Sequence, residues 1–120
     1  MAKILIVDDS SYARTLVKRM LEKEGHEVWE ASSGMDALEQ LPTCQPDLVT
    51  MDLLMPGMEG LELIGHLKSM QPELKIIVIT ADIQDETRRE LMDAGADAFL
   101  NKPVSPEVLV NAVRSLFVQE

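Results

Sequence analysis

Three aspartates, a threonine and a lysine stand directly after short apolar runs, and residues of these types could together carry phosphoryl chemistry. Asp8 and Asp9 follow Ile4–Val7, and Asp52 follows Leu48–Met51. Thr80 follows Ile76–Ile79, and Lys102, with Pro103 next, follows Ala98–Asn101. Carboxylates held close together raise one another's pKa or recruit a cation. Three carboxylates against one ammonium leave negative charge over, and Mg²⁺ suits such a place. It binds through one or two carboxylates, keeps waters and accepts phosphate oxygens. A carboxylate can then act as nucleophile and form an aspartyl phosphate. The metal and the lysine balance charge on the transferring group, and a hydroxyl can donate to its oxygens.

Taken singly, each residue has a plainer reading. Asp9 or Ser10 could simply cap the following helix. Thr80 suits a strand end by β-propensity alone, and Lys102 could be a solvated loop lysine. Convergence is what separates a site from these readings. Neighbouring strands lie about 4.8 Å apart, and in open α/β sheets ligands bind beyond the carboxyl ends of the strands. If the runs are adjacent strands, the five residues meet in one crevice.

The runs have the character this requires. Ile4–Val7, Leu48–Met51 and Ile76–Ile79 are continuous and mostly β-branched, as strands buried on both faces of a parallel sheet are. Glu27–Ala31 and Ala98–Asn101 are weaker, and the charged neighbours of Trp29 predict an edge strand. Between the runs, helical spacing predicts helices over Tyr12–Glu24, Met35–Leu41, Glu59–Met70 and Asp85–Ala94. A last helix starts near Ser105-Pro106-Glu107, with Ser as N-cap and Pro as first residue. The apolar faces read as Leu16, Val17, Met20 and Leu21 in the first helix, and Leu61, Ile64 and Leu67 in the third, with Lys68 beside them. The last carries Val108, Leu109, Ala112, Val113, Leu116 and Phe117. Gly25 is a stop for the first helix and Pro42 for the second. A βα unit repeated five times predicts an α/β fold, a parallel sheet with helices on both faces.

Length and composition bound the rest. At 120 residues, the chain fits one domain, 1–120, and Met1 with no linker before Gln119-Glu120 argues against a fragment cut from a longer protein. With 3% aromatic residues and eight Met, the core must be aliphatic with Met as filler. Eleven Lys and Arg against 21 Asp and Glu give a net charge of −10, and no basic stripe is present, which disfavours direct nucleic-acid binding. The N-terminal apolar run is too short for a signal peptide or a membrane span, so a cytoplasmic protein is expected. Cys44, the one cysteine, lies in a Pro-flanked connection and reads as an inert thiol. His26 and His66 read as solvated, and Trp29 as edge-strand surface.

Four segments resemble the receiver domains of two-component response regulators. They are Ile4–Ser10 with Arg14, Asp52–Gly60, Ile77–Ala81 and Ala94–Pro103. The resemblance covers essentially the whole chain, is closest to single-domain chemotaxis regulators, and implies the flavodoxin-like strand order 2-1-3-4-5. By resemblance, Asp52 is the phosphoacceptor, Asp9 a direct Mg²⁺ ligand and Asp8 a ligand mostly through water. The backbone carbonyl of Leu54 is the third protein ligand. Thr80 and Lys102 grip the phosphoryl oxygens, Phe99 is the switch aromatic, and the Lys102–Pro103 bond is expected to be cis. Leu54 and Asp82 occupy the variable positions that tune acyl-phosphate lifetime. Val104 and Glu59 depart from the commoner Phe and Asp.

The function implied is a phosphorylation switch that takes a phosphoryl group from a sensor histidine kinase or phosphotransfer protein and signals to a downstream protein target. It would catalyse its own modification and hydrolysis, but turn over no external substrate. An aspartyl phosphatase commonly needs a second acid two residues after the nucleophile, where Leu54 stands. A flavin module would want a Ser/Thr-rich loop in place of Asp8 and Asp9.

Overall fold

The computed structural model describes residues 2–81 and 84–117. Five strands alternate with five helices: β1 (Lys3–Val7), α1 (Ser11–Lys23), β2 (Glu27–Ala31), α2 (Gly34–Cys44), β3 (Leu48–Met51), α3 (Gly60–Met70), β4 (Lys75–Thr80), α4 (Asp85–Ala94), β5 (Ala98–Asn101) and α5 (Pro106–Phe117). All pairings are parallel, in the order β2-β1-β3-β4-β5. This is the flavodoxin-like α/β arrangement that the succession of runs and the resemblance imply.

Alternation along the buried strands divides the core into two layers. Leu5, Val7, Val49, Met51, Ile76 and Val78 face α2, α3 and α4, meeting Leu41, Leu63, Ile64, Leu67 and Leu91. Ile4, Ile6, Leu48, Ile77 and Ile79 face α1 and α5, meeting Val17, Leu21, Leu109 and Val113. Burying one such side chain stabilises the fold by roughly 1.5–3 kcal/mol. The central strands are therefore a firm platform for what stands at their ends.

Several expectations need correction. Pro42 does not end α2, which runs on to Cys44 and closes with Gln45 at φ 45°, its N–H donating to the Leu41 carbonyl at 2.9 Å. Proline forfeits one helical hydrogen bond, but Leu41 and Cys44 are buried in the core and hold this last turn in place. Cys44 thus belongs to a helix and not to a connection; burial pushes its thiol pKa up, which keeps it inert.

Leu61 and Val108 are exposed, because α3 turns Gly60, Leu63, Ile64 and Leu67 inward and α5 turns Leu109 and Val113 inward. Leu16 is also exposed. Trp29 does lie on an edge strand, but its ring is half-buried against the α2–α4 layer, with the Lys3 ammonium 5.9 Å from its centroid. His66 is exposed beside Glu62, as a solvated histidine should be. Among the described residues, no helix is long and apolar enough to cross a membrane.

His26 is not simply solvated. It is half-buried, and its Nδ1 accepts the Ala2 N–H at 3.0 Å, tying the start of β1 to the loop before β2. Burial lowers its pKa from 6.5, outweighing the opposing pull of Glu24. The unfolded chain therefore binds a proton here more readily than the folded one. The stability this brings is present above pH 6.5 and is lost as pH falls toward the folded pKa. Urea midpoints measured at about pH 7.5 and about pH 5.5 are expected to separate more in wild type than in His26→Gln. Equal separation in the two proteins would show that this imidazole has no such linkage.

Candidate functional site

Register brings the polar strand ends together. Val7, Met51 and Val78 lie side by side across β1, β3 and β4, so Asp8 and Asp52 stand level, one residue beyond their strands. Thr80 lies beside Asn101, so Lys102 stands one step past it. Each of the three charged residues extends the ladder by one bond. The Asp8 N–H donates to Ala31 O at 3.2 Å, the Asp52 N–H to Val7 O at 3.1 Å and the Lys102 N–H to Thr80 O at 2.9 Å. Ladder bonds thus fix the backbones from which the side chains reach. Ser10, and not Asp9, caps α1, its Oγ accepting the Ala13 N–H at 3.2 Å. This leaves the Asp9 carboxylate free of capping duty, and it is exposed.

The Lys102 ammonium lies between two buried carboxylates. Its Nζ donates to Asp8 Oδ2 at 2.8 Å and to Asp52 Oδ2 at 2.9 Å. Asp8 Oδ1 accepts the Ser10 N–H at 2.9 Å, and Asp52 Oδ1 accepts the Leu54 N–H at 3.2 Å. Burial by itself pushes the Lys102 pKa down, but the hydrogen bonds and charges of Asp8 and Asp52 outweigh it and raise the pKa above 10.5. Carboxylate oxygens of Asp8, Asp9 and Asp52 all lie within 4.8 Å of one another. That cluster is compatible with a divalent cation on oxygen ligands, in the donor set that Mg²⁺ prefers.

Thr80 is the last residue of β4, beside Asn101 of β5. It is 1% exposed, and its Oγ1 has no hydrogen-bond partner among the described residues. A buried hydroxyl left unpaired costs about 1–3 kcal/mol. Phe99 lies beside Val78 on the α2–α4 face, which Thr80 also shares, two residues on from Val78. The ring is half-buried, with the Arg88 guanidinium 5.3 Å from its centroid. Leu54 projects its side chain to solvent, 66% exposed, as a residue contributing through its backbone can. The Lys102–Pro103 bond is cis. Asp82 lies outside the described residues, as do Met1, Gln119 and Glu120.

Arg14 does more than motif matching suggested. Its Nη1 donates to the Asp8 carbonyl at 2.6 Å, while its Nε donates to Glu30 Oε1 at 3.0 Å. It therefore pins the acidic turn to β2. The only sequence signal for this is its place on the inner side of α1, six residues past Asp8.

The model of the family described as the response regulator receiver domain matches residues 4–114. The chain is 38% identical to the chemotaxis protein CheY of Thermotoga maritima, over 95% of this chain and 96% of that protein. It is 40% identical to the response regulator GacA of Pseudomonas aeruginosa, over 98% of this chain but 56% of GacA. A solved complex of CheX and CheY with beryllofluoride and magnesium, from Borrelia burgdorferi, superposes with a TM-score of 0.93 at 26% identity. The match covers 98% of this chain and 90% of the matched one.

Entry of a divalent cation should relieve repulsion among the three acids and stabilise the folded chain by mass action. Thermal unfolding of wild type is expected to shift upward on adding Mg²⁺. Asp9→Ala should fold normally and be no less stable without metal, since it removes a like charge. Its Mg²⁺ affinity should fall by at least about tenfold, the scale seen on losing even an outer-shell partner. Equal affinity in the two proteins would remove Asp9 from the ligand set.

Proposed function

The chain belongs to the response regulator receiver domain family, and from that premise we propose that residues 1–120 form one receiver domain acting as a phosphorylation-dependent signalling switch in the cytoplasm. The phosphodonor is a phosphohistidine on a sensor kinase or phosphotransfer protein. A carboxylate oxygen of Asp52 attacks the phosphorus, an O–P bond forms and the P–N bond breaks. The electron pair leaves on the donor imidazole, which takes up a proton. The aspartyl phosphate is later lost to water in the same pocket, and no external substrate is turned over.

The observation that carries this reading is local charge. Three carboxylates within 4.8 Å of one another, with one ammonium bridging two of them, leave two negative charges uncompensated. Asp8, Asp9, Asp52 and the Leu54 carbonyl would hold Mg²⁺, which when bound offsets that charge and the charge on the transferring group. Lys102 gives up its bond to Asp52 Oδ2 for a phosphoryl oxygen, a charge-assisted contact made only with the modified residue. Thr80 supplies its unpaired hydroxyl to another. That movement draws Thr80 toward the pocket and opens room on the face it shares with Phe99, into which the ring turns. The face formed by α4, β5 and α5 changes with it and meets a protein target. The CheX complex of the Borrelia CheY, with its beryllofluoride and magnesium, supports both the metal and the protein-binding output.

Intact mass after treatment with acetyl phosphate and Mg²⁺ is expected to show the gain of one phosphoryl group, absent in Asp52→Asn. A gain that persists in Asp52→Asn would put the acceptor elsewhere. Thr80→Ala should still accept the group yet change shape poorly, because a ligand shifts a two-state equilibrium only by its differential affinity. Amide NMR shifts around Phe99 on adding beryllofluoride, large in wild type, should be mostly lost in Thr80→Ala. Full retention there would sink the coupling between Thr80 and Phe99.

A further inference from the structure

We infer that Arg88 is a positioning residue for the switch: its guanidinium, lying over the Phe99 ring, holds that ring against α4 and biases the unphosphorylated chain toward its off conformation. The inference rests on the reading of Phe99 as the moving aromatic.

Phenylalanine has no polar tip to anchor it in water, so a half-buried ring on the edge strand β5 gains by being covered. Arg88 supplies the cover at 5.3 Å from the centroid, within the range at which a cation is attracted to the ring face. It also does so from the most weakly anchored helix of that layer. In α4 only Leu91 is fully buried, and the N-cap Gln84 makes no side-chain hydrogen bond. In α3, on the same side of the sheet, Gly60, Leu63, Ile64 and Leu67 are all buried. Arg88 and Leu91 lie three residues apart and so share one side of α4. The contact with Phe99 therefore lies on the side of α4 that carries its one fully buried residue. If the ring turns toward Thr80, it gives up the guanidinium, and α4 loses this tie to β5. The contact thus sets how much of the phosphorylation free energy must be spent on release.

Exposed cation–π pairs shift an equilibrium by about two- to fivefold. The test uses protein carrying 4-fluorophenylalanine, which labels Phe99 and Phe117; the signal missing in Phe99→Leu is that of Phe99. Beryllofluoride with Mg²⁺ is titrated into wild type, Arg88→Gln and Arg88→Lys. In Arg88→Gln the Phe99 signal of the untreated protein is expected to lie partway along the wild-type path to its beryllofluoride position. The apparent beryllofluoride affinity should tighten by about two- to fivefold. Arg88→Lys keeps a cation and should fall between the two. A Phe99 signal and an affinity that do not respond to Arg88→Gln would overturn the inference, as would a shift off the wild-type path or one equally large in Arg88→Lys. In all of these outcomes the amides beside Asp52 still respond to beryllofluoride. If they fall silent in wild type, it is the acceptor reading that has failed, and the role of Arg88 falls with it.

Discussion

Two carboxylates buried side by side are tolerable only if a cation holds them, and the rest of the site is organised around that cation. Taking an ion out of water costs several kcal/mol even after relaxation. Asp8 and Asp52 are each 6% exposed, and both are answered by the one Lys102 ammonium. Lys102 lies 94 residues from Asp8 in sequence, so the pairing exists only once β5 has joined the sheet beside β4. The last strand of the chain thus brings the charge that the first and third strands require. Because the lysine pKa is raised, its contribution to stability is complete below pH 10.5 for as long as its two carboxylate partners are charged. It is then lost as pH rises through the folded value.

This balance accounts for the acids but leaves the hydroxyl beside them unsatisfied. Thr80 Oγ1 is the one buried side-chain oxygen or nitrogen without a hydrogen-bond partner among the described residues. A sequence free to optimise stability would place valine there, of the same shape and with nothing to satisfy. The hydroxyl carries a cost, and the proposed switch gives it the acceptor it lacks at rest. Departures from complete hydrogen-bonding concentrate at functional sites for this reason.

Much of this was legible in the sequence, because strand runs and their terminal residues obey local rules. All five strands lie where their apolar runs are, and parallel register alone places Asp8, Asp52 and Lys102 at one edge. What was not legible depends on packing between elements. A proline at position 42 signals a stop, but two core residues, Leu41 and Cys44, outweigh it. Helical spacing put Leu61 and Val108 inside, but each helix turns a neighbouring stripe to the sheet. The bond of Arg14 to the Asp8 carbonyl and the cover of Arg88 over Phe99 link different elements, and helical periodicity gives at most a side of the helix and never the partner.

The same packing explains why a change at the acidic pocket need not disturb the sheet. The central strands are buried on both faces, and every residue of β3 is fully buried. A rearrangement there would have to open a close-packed core. The half-exposed ring of Phe99 and the lightly fastened α4 lie at the other extreme, and elements that move are drawn from such low-stability regions. A rigid platform holds the charges, and a more loosely packed edge lies next to it. On the switch proposed above, phosphoryl free energy entering at Asp52 would have its least resisted outlet along Thr80, Phe99 and α4. The direction of signalling in that switch would then be set by where burial is thin, with no need for a wire of contacts through the core.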